Sequence, residues 1–112
     1  MIFLLGGFLL AHAAVADVTF REEALTIISE GGEHPFTVEI AESPEQQSQG
    51  LMMRSELKPD RGMLFTATQP RIMSMWMKNT LISLDMLFMD ASGRIVYIKT
   101  NTIPMSTTVI SP

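Results

Sequence analysis

The chain has 112 residues, with 12 acidic and 8 basic side chains and a formal net charge of −4. This length suits one domain, and the acidic balance argues against a generally basic protein that binds nucleic-acid phosphates. Hydrophobic residues make up 46% of the chain and charged residues 18%, a composition too apolar for intrinsic disorder. There are no cysteines, which excludes disulfides, zinc–thiolate sites, iron–sulfur clusters and thiol catalysis.

The first 16 residues form an uncharged segment, of which 13 are hydrophobic. The Ala-Val-Ala run at 14–16, directly before Asp17, is typical of a signal-peptide cleavage site. The segment is shorter than the ~20 apolar residues that span a bilayer. We therefore predict a signal peptide or hydrophobic leader at 1–16 and a periplasmic or secreted domain at 17–112. The alternative is an uncleaved leader that anchors the domain to a membrane.

Charge is unevenly distributed along the predicted domain. Residues 17–50 carry a net charge of −7 and residues 51–112 a net charge of +3. The simpler interpretation is that the two halves fold together and their surfaces partly neutralise each other. A sharper hypothesis is an anion-binding face built from the basic residues of the second half: Arg54, Lys58, Arg61, Arg71 and Lys78.

The first half contains local signals for a hairpin and a short helix. The β-rich run at 24–29, the turn at 30–33 and the alternating run at 36–40 predict a hairpin. Ser43 is a typical N-cap residue, followed by Pro44 and, three residues after the cap, by Gln46; this is a capping-box pattern. The pattern predicts a helix from there to about Met52, followed by a loop at 55–61.

The second half reads as strands separated by turns. We predict strands at 63–65, 72–77 and 81–89, then a turn at 90–93 with Gly93 in the left-handed position, and a returning strand at 94–99. One helix and at least six short strands favour an α+β domain, mainly antiparallel β, with a small barrel-like or curved sheet. Parallel βαβ winding is disfavoured because crossover helices are too few.

Five motifs follow one another along the chain: Glu-Ile-Ala at 39–41 leading to Ser-Pro-Glu at 43–45, Gly-Leu-Met-Met-Arg at 50–54, Arg-Gly-Met-Leu-Phe at 61–65, Trp-Met-Lys-Asn-Thr at 76–80 and Leu-Asp at 84–85. In order and spacing they resemble the domain of unknown function 192 family, from about residue 36 to the end of the chain, and the string at 76–80 is the most specific of them. The resemblance implies a small exported bacterial or archaeal domain with a compact β-rich fold, and it implies no activity.

The sequence departs from the family pattern at two places. Ser83 stands where the family usually has proline, from which we expect a looser turn. Family members typically continue beyond the segment at 102–105 into another strand pair, whereas this sequence ends at Pro112. We therefore expect the C-terminal strands to be missing and a sheet edge to be left uncovered.

Few side chains of the predicted domain suit acid–base catalysis. Its single histidine, His34, is more consistent with an exposed turn than with a catalytic triad. Asp85 lies between Leu84 and Met86 in an apolar run, where a buried carboxylate needs a partner such as Lys78 or Arg54. Asp85 is then either a structural residue, held by an ion pair or a turn hydrogen bond, or a catalytic acid or base.

The string at 76–80 suits a ligand site, because tryptophan stacks on rings, lysine neutralises anions, and asparagine and threonine orient ligands by hydrogen bonds. The competing interpretation is a core tryptophan followed by a tight turn. Arg54 and Arg61 are either anion-binding forks or partners of Glu56 or Asp60 in salt bridges.

The ten methionines raise a copper hypothesis, because thioethers are soft ligands for Cu(I). On a strand Met73, Met75 and Met77 project from one face, although core filling is the simpler account.

The favoured function is a binding or accessory module outside the cytoplasm, for a small polar or anionic ligand or a partner protein. The alternatives are a hydrolase-like or transferase-like enzyme that uses a carboxylate, and methionine-based copper handling. We predict no cofactor, no metal and no nucleic-acid partner. The predicted ligand-binding residues are Arg54, Arg61, Trp76, Lys78, Asn79 and Asp85.

Overall fold

The computed structural model describes residues 18–112, so the predicted leader at 1–16 lies outside the described residues. The elements in chain order are β1 (Glu22–Ser29), β2 (Gly32–Ala41), α1 (Pro44–Gln49), β3 (Arg61–Phe65), β4 (Met86–Met89) and β5 (Ile95–Lys99). Over this part of the chain, no helix has the length and hydrophobicity needed to cross a membrane.

The predicted first hairpin is confirmed and is longer than its sequence signal. Strands β1 and β2 pair antiparallel from Glu22 opposite Glu39 to Ser29 opposite Gly32. The turn ends at Gly32, whose φ of 111° favours glycine. Burial increases along β2 towards its C-terminal end, where Val38, Ile40 and Ala41 are buried. The outer half of the hairpin therefore projects into solvent, while the inner half carries the core.

Helix α1 begins as the capping box predicts. The Ser43 hydroxyl accepts the Gln46 amide at 3.1 Å, and the Gln46 side-chain oxygen accepts the Ser43 amide at 3.0 Å. The helix ends at Gln49, before the predicted end near Met52. The cause is Gly50, whose φ of 47° leaves the helical region, and whose amide closes the helix on the Gln46 carbonyl at 2.8 Å.

Strand β3 pairs parallel with β2, from Thr37 opposite Arg61 to Ala41 opposite Phe65, which gives a mixed sheet in the order β1-β2-β3. The sequence disfavoured parallel pairing for want of crossover helices. The six residues of α1 and the loop after it are enough to return the chain to the start of β3. The parallel pair is a local exception in a mainly antiparallel fold.

Strands β4 and β5 form a separate antiparallel ribbon with an irregularity between Phe88 and Met89. The predicted turn before β5 is confirmed, with Gly93 at a φ of 88°. Across the ribbon the rings of Phe88 and Tyr97 are tilted, with centroids 5.7 Å apart. Neither described sheet closes into a barrel. The predicted α+β class with mainly antiparallel strands and one short helix is confirmed, in a form compatible with a curved sheet.

Two predicted strands are shorter than expected. The run at 72–77 has one isolated bridge, in which Met75 and Ile110 exchange hydrogen bonds of 2.8 and 2.7 Å. The run at 81–89 is a strand only from Met86. Before that point the backbone groups of Leu84 bind residue 102: the Leu84 amide donates to the Thr102 hydroxyl at 2.9 Å, and the Leu84 carbonyl accepts the Thr102 amide at 3.0 Å.

The core joins the mixed sheet to the segments that follow it. Its buried apolar residues are Val38, Ile40, Ala41, Leu51, Met77 and Phe88, and the buried polar residues are Thr80 and Thr102. Every fully buried side-chain nitrogen or oxygen within 18–112 has a hydrogen-bond partner. The buried threonines therefore stabilise irregular backbone without leaving an unpaired polar group.

Candidate functional site

The predicted residues Trp76 and Lys78 lie together on the surface. The ammonium of Lys78 stands over the Trp76 ring, 5.3 Å from its centroid, within the range of a cation–π interaction. The tryptophan, the single one in the sequence, is 46% exposed. Among the described residues, no carboxylate lies within salt-bridge distance of Lys78. We call these two residues the Trp–Lys surface.

Alternation along the extended segment places this pair outward. Met77 is fully buried between the exposed Trp76 and Lys78, and its amide donates to the Ser106 carbonyl at 2.9 Å. Residues two apart on extended chain share a face, so burial of Met77 directs both neighbours to solvent. The interpretation of Trp76 as a core residue is therefore wrong.

Asn79 and Thr80 form the turn after the Trp–Lys surface. Asn79 has a φ of 54°, which asparagine tolerates better than most residues, and its carbonyl accepts the Met53 amide at 2.8 Å. The Thr80 hydroxyl donates to the Lys78 carbonyl at 3.1 Å. This turn fixes the backbone of Lys78 and joins it to the loop that carries Arg54. The tight-turn interpretation of these two residues is correct.

Arg54 is occupied by a carboxylate. Its guanidinium forms a two-pronged salt bridge with Glu39 on β2, in which the Nη2–Oε2 distance is 3.1 Å. Its charged group also lies 5.7 Å from the ring centroid of Phe20. The pair is half-buried. The salt-bridge interpretation was therefore right in kind, but neither predicted partner, Glu56 or Asp60, is the actual one.

Arg61 is likewise paired, with Glu22 on β1 at 2.7 Å, and this pair is exposed. Arg21, the basic residue of the acidic half, binds Glu23 and Glu42. Arg54 and Arg61 thus neutralise carboxylates of residues 17–50, as the simpler interpretation of the charge distribution predicted. The hypothetical anion-binding face had five basic residues. Three of them have no ion pair in the described chain: Lys58, Arg71 and Lys78.

Asp85 lies at the junction where the segment before β4 meets the segment after β5. Its Oδ1 accepts the amide of Asn101 at 3.0 Å, and Asn101 has a φ of 51°. No ion pair joins Asp85 to Lys78 or Arg54 within residues 18–112. The side chain is exposed. The structure therefore gives Asp85 the turn hydrogen bond expected of a structural residue and does not join it to the Trp–Lys surface.

Thr102, which sequence reasoning missed, organises the same junction. Its buried hydroxyl accepts the Leu84 amide at 2.9 Å and donates to the Leu84 carbonyl at 3.0 Å. Ser83 donates to the Thr102 carbonyl at 2.7 Å. Serine at position 83 thus supplies a hydrogen bond to residue 102 that proline could not donate.

The three methionines of the copper hypothesis point inward. Met73 and Met75 are half-buried and Met77 is fully buried, as core filling requires. Residues 18–112 contain no group of three histidine, cysteine or acidic side chains able to hold a metal ion. His34 is exposed, as predicted, and its Nε2 lies 2.8 Å from the Ser29 hydroxyl.

Asp90 is the carboxyl group with the clearest perturbation. Its pKa lies below the ordinary value of 3.8, because the Ser92 side chain and the backbone amides of Arg94 and Ser92 donate to it. The hydroxyl bond is 2.6 Å long and the amide bonds are 3.0 and 2.9 Å. These donors belong to the turn between β4 and β5, whose position the sequence predicted.

The fold is a small α+β domain with an exposed aromatic–cation pair, and its family follows from the sequence comparison. Residues 26–112 match the profile of domain of unknown function 192, described as "Uncharacterized ACR". The chain belongs to this family, which confirms the resemblance found in the motifs. Among proteins with curated descriptions, none matches the chain.

Two bacterial crystal structures are similar to this chain. One is a candidate transcription regulator from Sinorhizobium meliloti, 42% identical, with a TM-score of 0.81 over 86% of this chain and 75% of that one. The other is a protein of unknown function from Novosphingobium aromaticivorans, 30% identical, with a TM-score of 0.80 over 89% of this chain and 76% of that one.

Proposed function

We propose that the protein is a binding module outside the cytoplasm, and that the Trp–Lys surface receives a small anion with a flat ring or sugar face. The observation that carries the proposal is the 5.3 Å stacking of the Lys78 ammonium on a tryptophan that remains 46% exposed. Tryptophan supplies a stacking surface and lysine supplies charge complementarity for the anion.

The energy available at this surface is sufficient for weak, specific binding. A tryptophan side chain buries about 150–250 Å² when covered, so nearly half of it leaves roughly 100 Å² of ring for a ligand. At ~25 cal/mol per Å², covering that area contributes about 2.5 kcal/mol. A contact between Lys78 and an anion adds to this, because no described carboxylate competes for the ammonium. Alone, about 2.5 kcal/mol corresponds to a dissociation constant of about 15 mM, and a charge contact of about 1 kcal/mol lowers it to about 3 mM.

The other four predicted ligand residues do not contact the ligand in this proposal. Asn79 shapes the turn that holds Lys78, and Arg54 fixes the neighbouring loop through Glu39. Arg61 and Asp85 are engaged elsewhere, by Glu22 and the Asn101 amide. The ligand-contacting set is therefore reduced to Trp76 and Lys78. No contact of Asp85 favours an enzyme, and the inward position of the methionines does not favour copper handling.

Nucleic acid is not a partner in this proposal, although one similar structure is described as a candidate transcription regulator. The net charge is −4. Three of the arginines, Arg21, Arg54 and Arg61, are bound to carboxylates, so they offer no free charge to phosphates. A surface for DNA requires several unpaired cations along one face.

Export is the second part of the proposal, and it rests on the hydrophobic residues 1–16 with Ala-Val-Ala before Asp17. The test is expression of the full chain with a C-terminal tag in a Gram-negative host, followed by fractionation and mass measurement of the product. We expect a periplasmic protein that begins at Asp17. A full-mass protein retained in the cytoplasm contradicts export, and a full-mass protein in the membrane fraction indicates an anchor.

Intrinsic fluorescence tests ligand binding directly, because Trp76 is the single tryptophan. We would titrate the purified chain with glucuronate and with phenyl phosphate, using glucose and benzyl alcohol as neutral counterparts. The expected result is a saturable change in emission with the anions at millimolar concentration. Lys78→Gln should weaken it at least fivefold, whereas Lys58→Gln, a matched loss of an exposed lysine, should leave it unchanged. Equal responses to anions and neutral counterparts, or none to either anion, would refute the proposed ligand class.

A further inference from the structure

A depression lies between α1 and the segment that follows β3. It has a volume of about 370 Å³ and is open to solvent on one side, a size in the range of small-molecule sites. It shares no residue with the Trp–Lys surface. Its walls are Glu42, Pro44 and Gln47 on the helix side and residues 66–71 on the other side.

Gln47 is held in one orientation at this depression. Its side-chain nitrogen donates to the carbonyl of Ala41 at 3.0 Å and to that of Thr66 at 2.5 Å. A glutamine amide has two N–H donors, so both are used. A flipped amide is excluded because its oxygen would face two carbonyl oxygens. The side-chain oxygen of Gln47 is therefore left as an acceptor, and it receives Arg71 at 3.3 Å.

Arg71 has a positive charge that this contact does not neutralise. Arg21, Arg54 and Arg61 each hold a carboxylate, whereas the polar partner of Arg71 in the described chain is the neutral Gln47 oxygen. A guanidinium has five N–H donors, and one is used here. Arg71 is thus positioned by one hydrogen bond while most of its donors remain available.

The acidic residue that lines this depression has a partner outside it. The Glu42 carboxylate accepts from Arg21 at 3.1 and 3.5 Å, and Arg21 also binds Glu23. Arg21 therefore offsets part of the Glu42 charge, and Arg71 is the one cation among the lining residues. Thr66 and Thr68 line the same wall and carry hydroxyl groups that donate to oxygen acceptors.

We propose that this depression binds a carboxylate, carried either by a small acid or by the C-terminal end of a peptide, in a two-pronged contact with Arg71. A planar carboxylate matches the guanidinium fork and accepts two parallel hydrogen bonds. Pro44 and Pro70 supply an apolar rim for a short side chain next to the carboxylate. The site is independent of the Trp–Lys surface, so either proposal can fail without the other.

The test is a titration of the ¹⁵N-labelled full chain, followed by amide chemical shifts, with propionate and with N-acetyl-alanyl-alanine. The neutral probes are propionamide and the corresponding dipeptide amide. We expect saturable shifts at the amides of residues 66–69 and of Arg71 with the carboxylates alone. Tighter binding of the dipeptide than of propionate would identify a peptide end, and comparable binding would identify a small acid.

Variants make the assignment specific. Arg71→Gln should weaken carboxylate binding at least tenfold, and Arg71→Lys should weaken it severalfold, because lysine keeps the charge but loses the fork. Arg94→Gln is the matched control and should bind within twofold of the parent chain. The proposal is overturned if Arg71→Gln binds as the parent does or if the amides bind as well as the acids. It is also overturned if the segment at 66–71 does not shift at about 50 mM probe, roughly ten times a dissociation constant of about 5 mM.

Discussion

The salt bridge between Arg54 and Glu39 gives the sharpest stability prediction. The perturbation is Arg54→Met, which keeps most of the side-chain volume but removes two charge-assisted hydrogen bonds to Glu39 and the contact with Phe20. The side chains are 32% and 22% exposed, so the energy lies between that of a surface pair, ~0.2–1 kcal/mol, and that of a buried pair, where removing one partner costs ~3–5 kcal/mol. We expect Arg54→Met to lower the free energy of unfolding by about 2 kcal/mol.

The assay is a double-mutant cycle of Arg54→Met and Glu39→Gln, measured by urea unfolding. The cycle isolates the coupling between the two side chains, which we expect to be about 1–1.5 kcal/mol, above the ~0.2–1 kcal/mol of exposed pairs and below the ~3–5 kcal/mol that breaking a buried pair costs. The exposed pair Arg61–Glu22, with side chains 42% and 52% exposed, is the matched control and should couple by less than about 0.5 kcal/mol. For a domain of this size, 2 kcal/mol corresponds to a fall in Tm of roughly 8–16 °C.

A coupling between Arg54 and Glu39 no larger than that of the exposed pair would contradict a stabilising role for this salt bridge. Arg54 would be a ligand residue and not a structural one if Arg54→Met kept the parent stability and abolished the response of Trp76 to anions.

Three further predictions concern the backbone at Gly50, the core at Met77 and the turn at Asp90. Gly50→Ala should destabilise the chain by about 1–3 kcal/mol, because Gly50 has a φ of 47° and an added Cβ would lie 3.3 Å from Phe65 Cζ; an unchanged urea midpoint would contradict this. Met77→Ala should cost ~2–5 kcal/mol and Met77→Leu less than ~1.5 kcal/mol, because this side chain is fully buried; equal midpoints for the two variants would contradict the assignment to the core. Asp90 has a pKa lowered by Ser92 and two backbone amides, so its stabilising effect is full above the ordinary value of 3.8 and is lost as the pH falls through the lowered pKa. As the pH is lowered, the free energy of unfolding should therefore fall less in Asp90→Asn than in the parent chain, and identical acid profiles of the two proteins would refute this.

Local signals in the sequence predicted the elements whose hydrogen bonds are local. The capping box of Ser43 and Gln46 and the turn at Asp90 both join residues at most four positions apart. The end of α1 was predicted too late, because the apolar residues Leu51 and Met52 extend the helical pattern past Gly50, although a glycine directly after a helix is a common C-cap. Turn chemistry was therefore readable, whereas exact ends were not.

Pairings between distant residues were not readable from the sequence. Arg54 lies 15 positions from Glu39, and Arg61 lies 39 positions from Glu22. Both pairs depend on how the sheet places β1, β2 and β3 side by side. The parallel pairing of β2 with β3 has the same origin, because strand direction is decided by the path of the connection and not by the composition of the strands.

The candidate site was partly predictable for a related reason. Alternation at 73–78 correctly separated the inward methionines from the outward Trp76 and Lys78, since it depends only on extended backbone. The inclusion of Asp85 with them depended on tertiary contacts, and the structure ties that carboxylate to the Asn101 amide. Gln47 and Arg71 gave no motif, because their arrangement requires the ends of β2 and β3 to lie next to each other.

Collisional quenching of Trp76 fluorescence tests most directly whether this tryptophan lies on a cationic surface. The quenchers are iodide and neutral acrylamide, and the proteins are the parent chain and Lys78→Gln. An ammonium 5.3 Å from the ring attracts iodide by about 0.4–0.8 kcal/mol in water, depending on salt. We expect iodide quenching to be about two- to fourfold stronger in the parent chain at low ionic strength, with acrylamide quenching equal in the two proteins. Equal iodide quenching in both would contradict a cationic binding surface at this tryptophan.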